Sequence, residues 1–213
     1  MVSPRTVSTA NTSPQRTKLR QAPEETRGQI IQAALAFLRE NSYREISVEL
    51  LMTQTGHSRT VFYKHFDDVP SLMLALIQEV GTELLDVAKE WAQTERVSAD
   101  EARARLALFV DFYVRNGPLV RAVSEAAPYD ETVEEAYSAL VEGFIAMTTR
   151  AIDSRVNSGA LDKLDAPEIA RALVRMLNGY LGDSLGHTDG TDPDRVLQTV
   201  STIWTRTLFP GES

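Results

Sequence analysis

From Ile30 to Leu208 the apolar residues of this chain return every third or fourth position, and no sustained run has them every second. A side chain repeats its direction about every 3.6 residues on a helix and every 2 on a strand, so this pattern admits helices and gives a sheet no face to bury. Ile30, Ala34 and Phe37 with Ile31, Leu35 and Leu38 mark a first helix that begins at Glu24 and ends at Asn41-Ser42. Leu72, Leu76, Val80, Leu84, Val87 and Trp91 mark a fourth, and Leu106, Phe109, Val110 and Tyr113 a fifth, stopped at Gly117-Pro118. A short sixth covers 119–127, and Val133, Tyr137, Leu140, Phe144, Met147 and Ala151 line a seventh ending near Gly159. Ile169, Leu173, Met176/Leu177 and Tyr180/Leu181 line an eighth, and Val196/Leu197, Val200, Ile203/Trp204 and Leu208 a ninth. The expected fold is all-α, with about nine helices and no internal repeat.

The second and third helices are short and closely joined. Ser47 is placed to cap a helix from Val48 to Thr55, Gly56 to stop it in a left-handed conformation, and Ser58 to cap the next, over 59–66. Asp67-Asp68 close that helix, with Asp68 capping the following one and Pro70 near its first turn. Two short helices around a glycine turn form the helix-turn-helix pattern.

Charge separates this region from the rest. Residues 1–66 carry nine Lys/Arg against five Asp/Glu, and residues 67–213 thirteen against twenty-five. A basic third on an acidic body points to a local polyanion site, although a basic tail alone gives the same imbalance. Residues 1–23, rich in Ser, Thr, Pro and Gln with Arg5, Arg16, Lys18 and Arg20, read as a flexible basic arm. The helix-turn-helix domain then spans 24–70 and a helical body 71–213.

On the third helix Val61, Phe62 and Phe66 are the inward candidates, and Arg59, Thr60, Tyr63 and Lys64 face outward. The second helix of such a motif enters the major groove of DNA, with its N-terminal residues at base edges. Arg59 suits bidentate recognition of guanine, and Thr60 a thymine methyl or a phosphate. Tyr63, Lys64 and His65 suit phosphates, which position the protein rather than specify sequence. Ser47, with its hydroxyl and the amides behind it, suits another phosphate. The alternative is a small packing helix with a solvated polar side.

Residues 27–76 resemble the DNA-binding domain of the TetR family of transcriptional repressors, through "GQIIQAALAFL", "ISVELLMTQTGHSRTVFYKHF" and "SLMLAL". The resemblance implies a three-helix DNA-binding domain, a connecting fourth helix, and a helical body that dimerises and binds a small ligand. It places DNA contacts at Ser47, Ser58, Arg59, Thr60, Tyr63, Lys64 and His65. Val69, in "FDDVPSL", stands where the family usually carries a phosphate-binding lysine, and Asp67 and Asp68 make that spot less hospitable to DNA.

The C-terminal half is similar to the branch of that family containing the ethionamide-resistance regulator, through "FVDFYVRN", "AIDSRVNSGAL", "EIARALVRMLNGYL" and "VSTIWTRTLFPG". That similarity implies an apolar tunnel lined by Phe109, Tyr113, Tyr137, Val141, Phe144, Met147, Asn178, Leu181 and Trp204. An aromatic stripe at helical spacing is also what an ordinary core looks like. Asn178 is more telling: a buried amide needs hydrogen-bond partners, and a ligand carbonyl or hydroxyl is one, although a surface asparagine needs none. Tyr137 and Phe144 stand where that branch carries tryptophan, so a pocket of different size and ligand is expected. The resemblance also implies a homodimer through helices at 166–185 and 193–209, matched to a near-palindromic operator.

Other chemistry finds little support. Gly182-Asp183-Ser184-Leu185, near His187, spells a hydrolase signature, but at the end of a helix rather than after a strand; Gly182 and Gly186 read as helix terminators. His57, His65 and His187 have no metal-ligand spacing, and no glycine-rich phosphate loop follows a strand. No enzyme activity, metal or cofactor is expected. Without cysteine, a signal peptide or a membrane-length apolar run, a cytoplasmic location is expected. Two functions stay open on the residues alone. One is a ligand-gated DNA-binding repressor, and the other a helical small-molecule-binding or catalytic protein with a vestigial helix-turn-helix. The basic arm and "SRTVFYKHF" favour the first.

Overall fold

The computed structural model describes the backbone of residues 14–92, 98–187 and 191–210, with side chains over 23–84, 98–187 and 191–210. These residues form eight α-helices and no strand: α1 (Pro14–Glu40), α2 (Val48–Thr55), α3 (Arg59–Phe62), α4 (Val69–Ala92), α5 (Ala99–Ala126), α6 (Glu131–Asn157), α7 (Ala166–Leu185) and α8 (Pro193–Leu208). Single 3₁₀ turns at Tyr43–Glu45 and Ala127–Tyr129 precede α2 and α6.

The caps follow from side-chain chemistry. Ser47 Oγ accepts the Leu50 amide at 3.3 Å, Asp130 Oδ1 that of Val133 at 3.0 Å, and Asp165 Oδ1 that of Glu168 at 3.3 Å. Each covers a donor that the helix start leaves without a partner.

Two cores result. In the N-terminal head, Ile30, Leu38, Leu51, Met52, Phe62 and Phe66 pack with Leu72 and Leu76 of α4. In the body, Leu106, Phe109 and Phe112 pack with Ile152, Leu177, Val200 and Trp204. The last turns of α5, at Leu119, Ala122, Val123 and Ala126, join the head core. Helices α4 and α5 therefore link the two halves.

Three local expectations change. Helix α1 starts at Pro14, not Glu24. Proline suits a first helical turn, and the Gln, Arg and Lys residues that follow are helix formers, with Pro23 taken into the helix interior. The rest of the expected arm, 1–13, lies outside the described residues. Helix α5 runs through Gly117-Pro118, merging the expected fifth and sixth helices and bringing the total to eight. Pro118 withdraws only its own N–H, and Leu119, Ala122, Val123 and Ala126 are buried beyond it, so packing carries the helix onward. Gly117 is instead a contact point: a Cβ there would lie 2.3 Å from the Leu185 carbonyl oxygen. Finally, Gly182 lies inside α7, and Gly186 alone caps its end.

Candidate nucleic-acid interface and buried cavity

The head is organised around one left-handed residue, Gly56, with φ 71° and ψ 8°. It ends α2 and lets the chain turn into α3 within two residues. The His57 ring nitrogen Nε2 lies 2.9 Å from Gln29 Oε1, tying the turn to α1. Helix α3 is shorter than expected, but its coil continues through 3₁₀-type bonds, with Lys64 N donating to Val61 O at 3.2 Å and His65 N to Phe62 O at 2.9 Å.

Phe62 and Phe66 are buried and face each other at 5.5 Å between ring centres. They anchor the helix, and Val61 is half-buried beside them. Ser58, Arg59, Thr60, Tyr63 and Lys64 are exposed, while His65 and Ser47 are half-buried. Ser58 occupies the cap position without making a cap hydrogen bond. Tyr63 keeps 52% of its surface exposed while its ring meets the edge of Phe62, so a large aromatic stands on the outer side of α3.

At the entrance to α4, Asp68 Oδ1 accepts the Ser71 amide at 2.8 Å, and Ser71 Oγ donates to Asp68 O at 2.8 Å. A carboxylate therefore already occupies the anion-seeking end of α4, where Val69 is half-buried. On α1, the Arg27 guanidinium sits 5.2 Å from the Phe66 ring centre. It borders a shallow depression together with Tyr63, Lys64 and His65. Sequence reasoning did not single out Arg27, which stands midway along α1 rather than at its start.

In the body, a cavity of about 70 Å³ lies between α4, α5, α6 and α7. Six of the nine residues expected around a tunnel line it: Phe109, Tyr113, Tyr137, Val141, Phe144 and Asn178. Met147, Leu181 and Trp204 do not. Leu181 and Trp204 are fully buried in the α5–α7–α8 core, and Met147 is half-buried farther along α6. The larger omission is α4, which contributes Ile77, Val80, Gly81 and Leu84, with Leu119, Val120 and Val123 joining from the end of α5. The apolar period of α4 was visible, but its partner was not.

The polar feature of this cavity is a chain of three side chains. Tyr113 Oη donates to Asn178 Oδ1, and Asn178 Nδ2 donates to Tyr137 Oη at 2.6 Å. The amide orientation follows from burial: Tyr113 is 5% exposed, and a buried O–H with no acceptor is costly. Burial, and then the nearby Tyr137, push the Tyr113 phenol far above its ordinary range, so it stays a donor. Two donors, the Tyr137 O–H and the second Asn178 N–H, then have no acceptor among the described residues. Among the described residues, no charged side chain lines the cavity.

Known proteins resemble the chain over most of its length. Residues 102–210 match the family model for the transcriptional regulator EthR, C-terminal domain. The HTH-type transcriptional regulator EthR of Mycobacterium tuberculosis (strain ATCC 25618 / H37Rv) is 28% identical over 190 residues, covering 86% of this chain and 87% of that protein. Its counterpart in Mycolicibacterium smegmatis is 26% identical over 209 residues, covering 96% and 95%. A solved tetR-family regulatory protein from Rhodococcus RHA1 superposes with a TM-score of 0.72 at 16% identity, over 86% of this chain and 97% of that one. Among the described residues, no helix is long and apolar enough to cross a membrane.

Proposed function

The chain belongs to the TetR-family transcriptional regulators related to EthR, and from that premise we propose that it is a repressor released from its operator by a small uncharged molecule. The observation that carries this reading is the position of the cavity. One of its walls is α4, which begins three residues after Phe66, where the head ends. At about 70 Å³ the cavity is far smaller than the ~300–1,000 Å³ typical of ligand sites, so an occupant must widen it. The wall it moves includes the helix that carries the reading head.

The lining defines the ligand class. The described walls, apolar and aromatic without a charge, favour a largely apolar, uncharged molecule. The two unspent donors, Tyr137 O–H and Asn178 N–H, call for a hydrogen-bond acceptor on it, such as a carbonyl. Phe109, Tyr113, Val141 and Phe144 complete its surroundings.

On the DNA side, Arg59 and Thr60 read base edges, while Ser47, Ser58, Tyr63, Lys64 and His65 hold phosphates. Two copies pair through α7 and α8. Most of their apolar stripe is spent on the body's own core, leaving Ile203 exposed and Met176 and Tyr180 half-buried for the contact. A two-fold dimer sets the recognition helices about 34–36 Å apart, or a multiple of that, on a near-palindromic operator. The ligand releases DNA only by preferring the state with altered spacing.

The test begins with selection from a random duplex library at near-physiological salt, beside an Arg59/Tyr63/Lys64 triple-alanine control. A palindromic consensus lost in the control is expected. Arg59→Ala should relax preference at one base pair, whereas Tyr63→Ala and Lys64→Ala weaken all duplexes alike. Val141→Trp, which fills the cavity, should then lower affinity for the selected duplex. Unchanged affinity with the cavity demonstrably filled refutes ligand release through α4.

A further inference from the structure

Two side chains of the body grip the head where its first helix ends. Arg121 and Glu125 lie one turn apart on α5, with side chains 16% and 29% exposed. Arg121 Nη2 donates to the carbonyl oxygens of Leu38 at 3.3 Å and Asn41 at 3.2 Å, where α1 gives out. Its Nε donates to Gly186 O at 3.1 Å, at the end of α7. Its Nη1 donates to Glu125 Oε1 at 2.8 Å. One guanidinium thus serves the carbonyl ends of two helices, the place where a cation is favoured. Only a planar fork of donors can serve all four acceptors, so lysine is no substitute.

Glu125 completes the grip. Its Oε2 accepts the Ser42 hydroxyl at 2.8 Å and the Tyr43 amide at 3.1 Å. Ser42 in turn caps the 3₁₀ turn that leads through Ile46 to Ser47, the cap of α2. Arg44 of that turn also stacks on Tyr129, its guanidinium carbon 5.2 Å from the ring centre. The entry to the helix-turn-helix is therefore held by α5 and the turn after it.

The same turns of α5 face the cavity. Leu119, Val120 and Val123 line it, interleaved with Arg121 and Glu125 on another face. Pro118, just before them, has no N–H to give to the helix ladder, which leaves α5 one bond short at the boundary between its body half and these last turns. A displacement of the cavity wall here must carry the pair with it.

We propose that Arg121 and Glu125 are positioning residues that transmit occupancy of the cavity to the DNA-reading head. They act through the end of α1 and the Ser42–Ser47 segment, as a second route beside α4. The proposal rests on the reading that the cavity controls DNA binding, and its test separates the two. The full chain is prepared as native, Arg121→Met and Glu125→Gln, each with and without Val141→Trp. Amide hydrogen exchange is followed over residues 38–47, and affinity is measured for the selected duplex.

Arg121→Met removes both bonds to Leu38 O and Asn41 O and should speed exchange over 38–47 by about tenfold or more, the scale of even the weakest charge-assisted hydrogen bond, with α8 unaffected. In the native chain Val141→Trp should speed exchange in the same segment. It should also weaken duplex binding by about 5- to 150-fold. In Glu125→Gln, the milder variant, and in Arg121→Met, that fold-change should shrink by about threefold or more. An unchanged fold-change in both overturns the proposal. If Val141→Trp leaves native duplex affinity intact, the reading of the cavity fails, and exchange alone then decides the pair: no response over 38–47 overturns it, and a response lost in both variants supports it.

Discussion

Replacing Gly117 with alanine adds one methyl group at the tightest approach between α5 and α7. The new Cβ would lie 2.3 Å from Leu185 O, 2.9 Å from Leu185 C and 3.2 Å from Gly186 Cα, all backbone atoms that no rotamer can move. Carbon contacts settle near 3.5–4.0 Å, so the end of α7 must retreat by about 1 Å or more. Overpacking of this kind costs about 1–3 kcal/mol. The retreat also stretches the Arg121 Nε bond to Gly186 O, and bonds to charged groups are worth about 1.5–3 kcal/mol. Alanine's better helix propensity returns about 1 kcal/mol. The expected net is a loss of about 1.5–5 kcal/mol, read as a lower urea midpoint with unchanged slope at fixed protein concentration. Gly143→Ala is the control. That glycine also lies inside a helix, but nothing stands within 4 Å of its would-be Cβ, so alanine should stabilise by about 0.5–1 kcal/mol. If both variants are stabilised alike, the close α5–α7 approach is not the reason for Gly117.

Two further outcomes are expected. Tyr113→Phe leaves Asn178 Oδ1 without its buried donor and should cost about 1–3 kcal/mol in denaturant unfolding, whereas Tyr137→Phe, at a half-buried position, should cost less. Glu125 titrates below its ordinary value: burial, the largest single influence, pushes it up, but hydrogen bonds from Ser42 and Tyr43 and the charge of Arg121 together outweigh it. A depressed carboxylate contributes stability that is complete above the unfolded glutamate range and is lost as pH falls through the folded value. Stability measured from neutral pH into that acid range should therefore fall less steeply in Glu125→Gln than in the native chain; equal slopes refute the assignment.

The amino-acid sequence by itself determined the helical class, because a period near 3.6 is a property of consecutive residues. It also determined the helix-turn-helix, because Ser47 and Gly56 act within a few residues of themselves and Phe62 and Phe66 must turn inward. The basic charge was equally local, since it lies in residues 1–23, with four Lys/Arg and no acid. What the sequence could not decide was whatever depends on two distant segments meeting. Gly117-Pro118 looked like a stop because both residues weaken an isolated helix; burial of Leu119, Ala122 and Val123 reversed that, and the glycine proved to accommodate the end of α7. Leu181 and Trp204 shared the apolar pattern of the cavity residues and were drawn into the core instead, since period gives a face but not the neighbour it meets. Arg121 and Glu125 were unremarkable as an i, i+4 pair. Only the tertiary structure brought the carbonyl ends of α1 and α7 and the amide of Tyr43 to them, where desolvated backbone groups need partners that their own helices cannot supply.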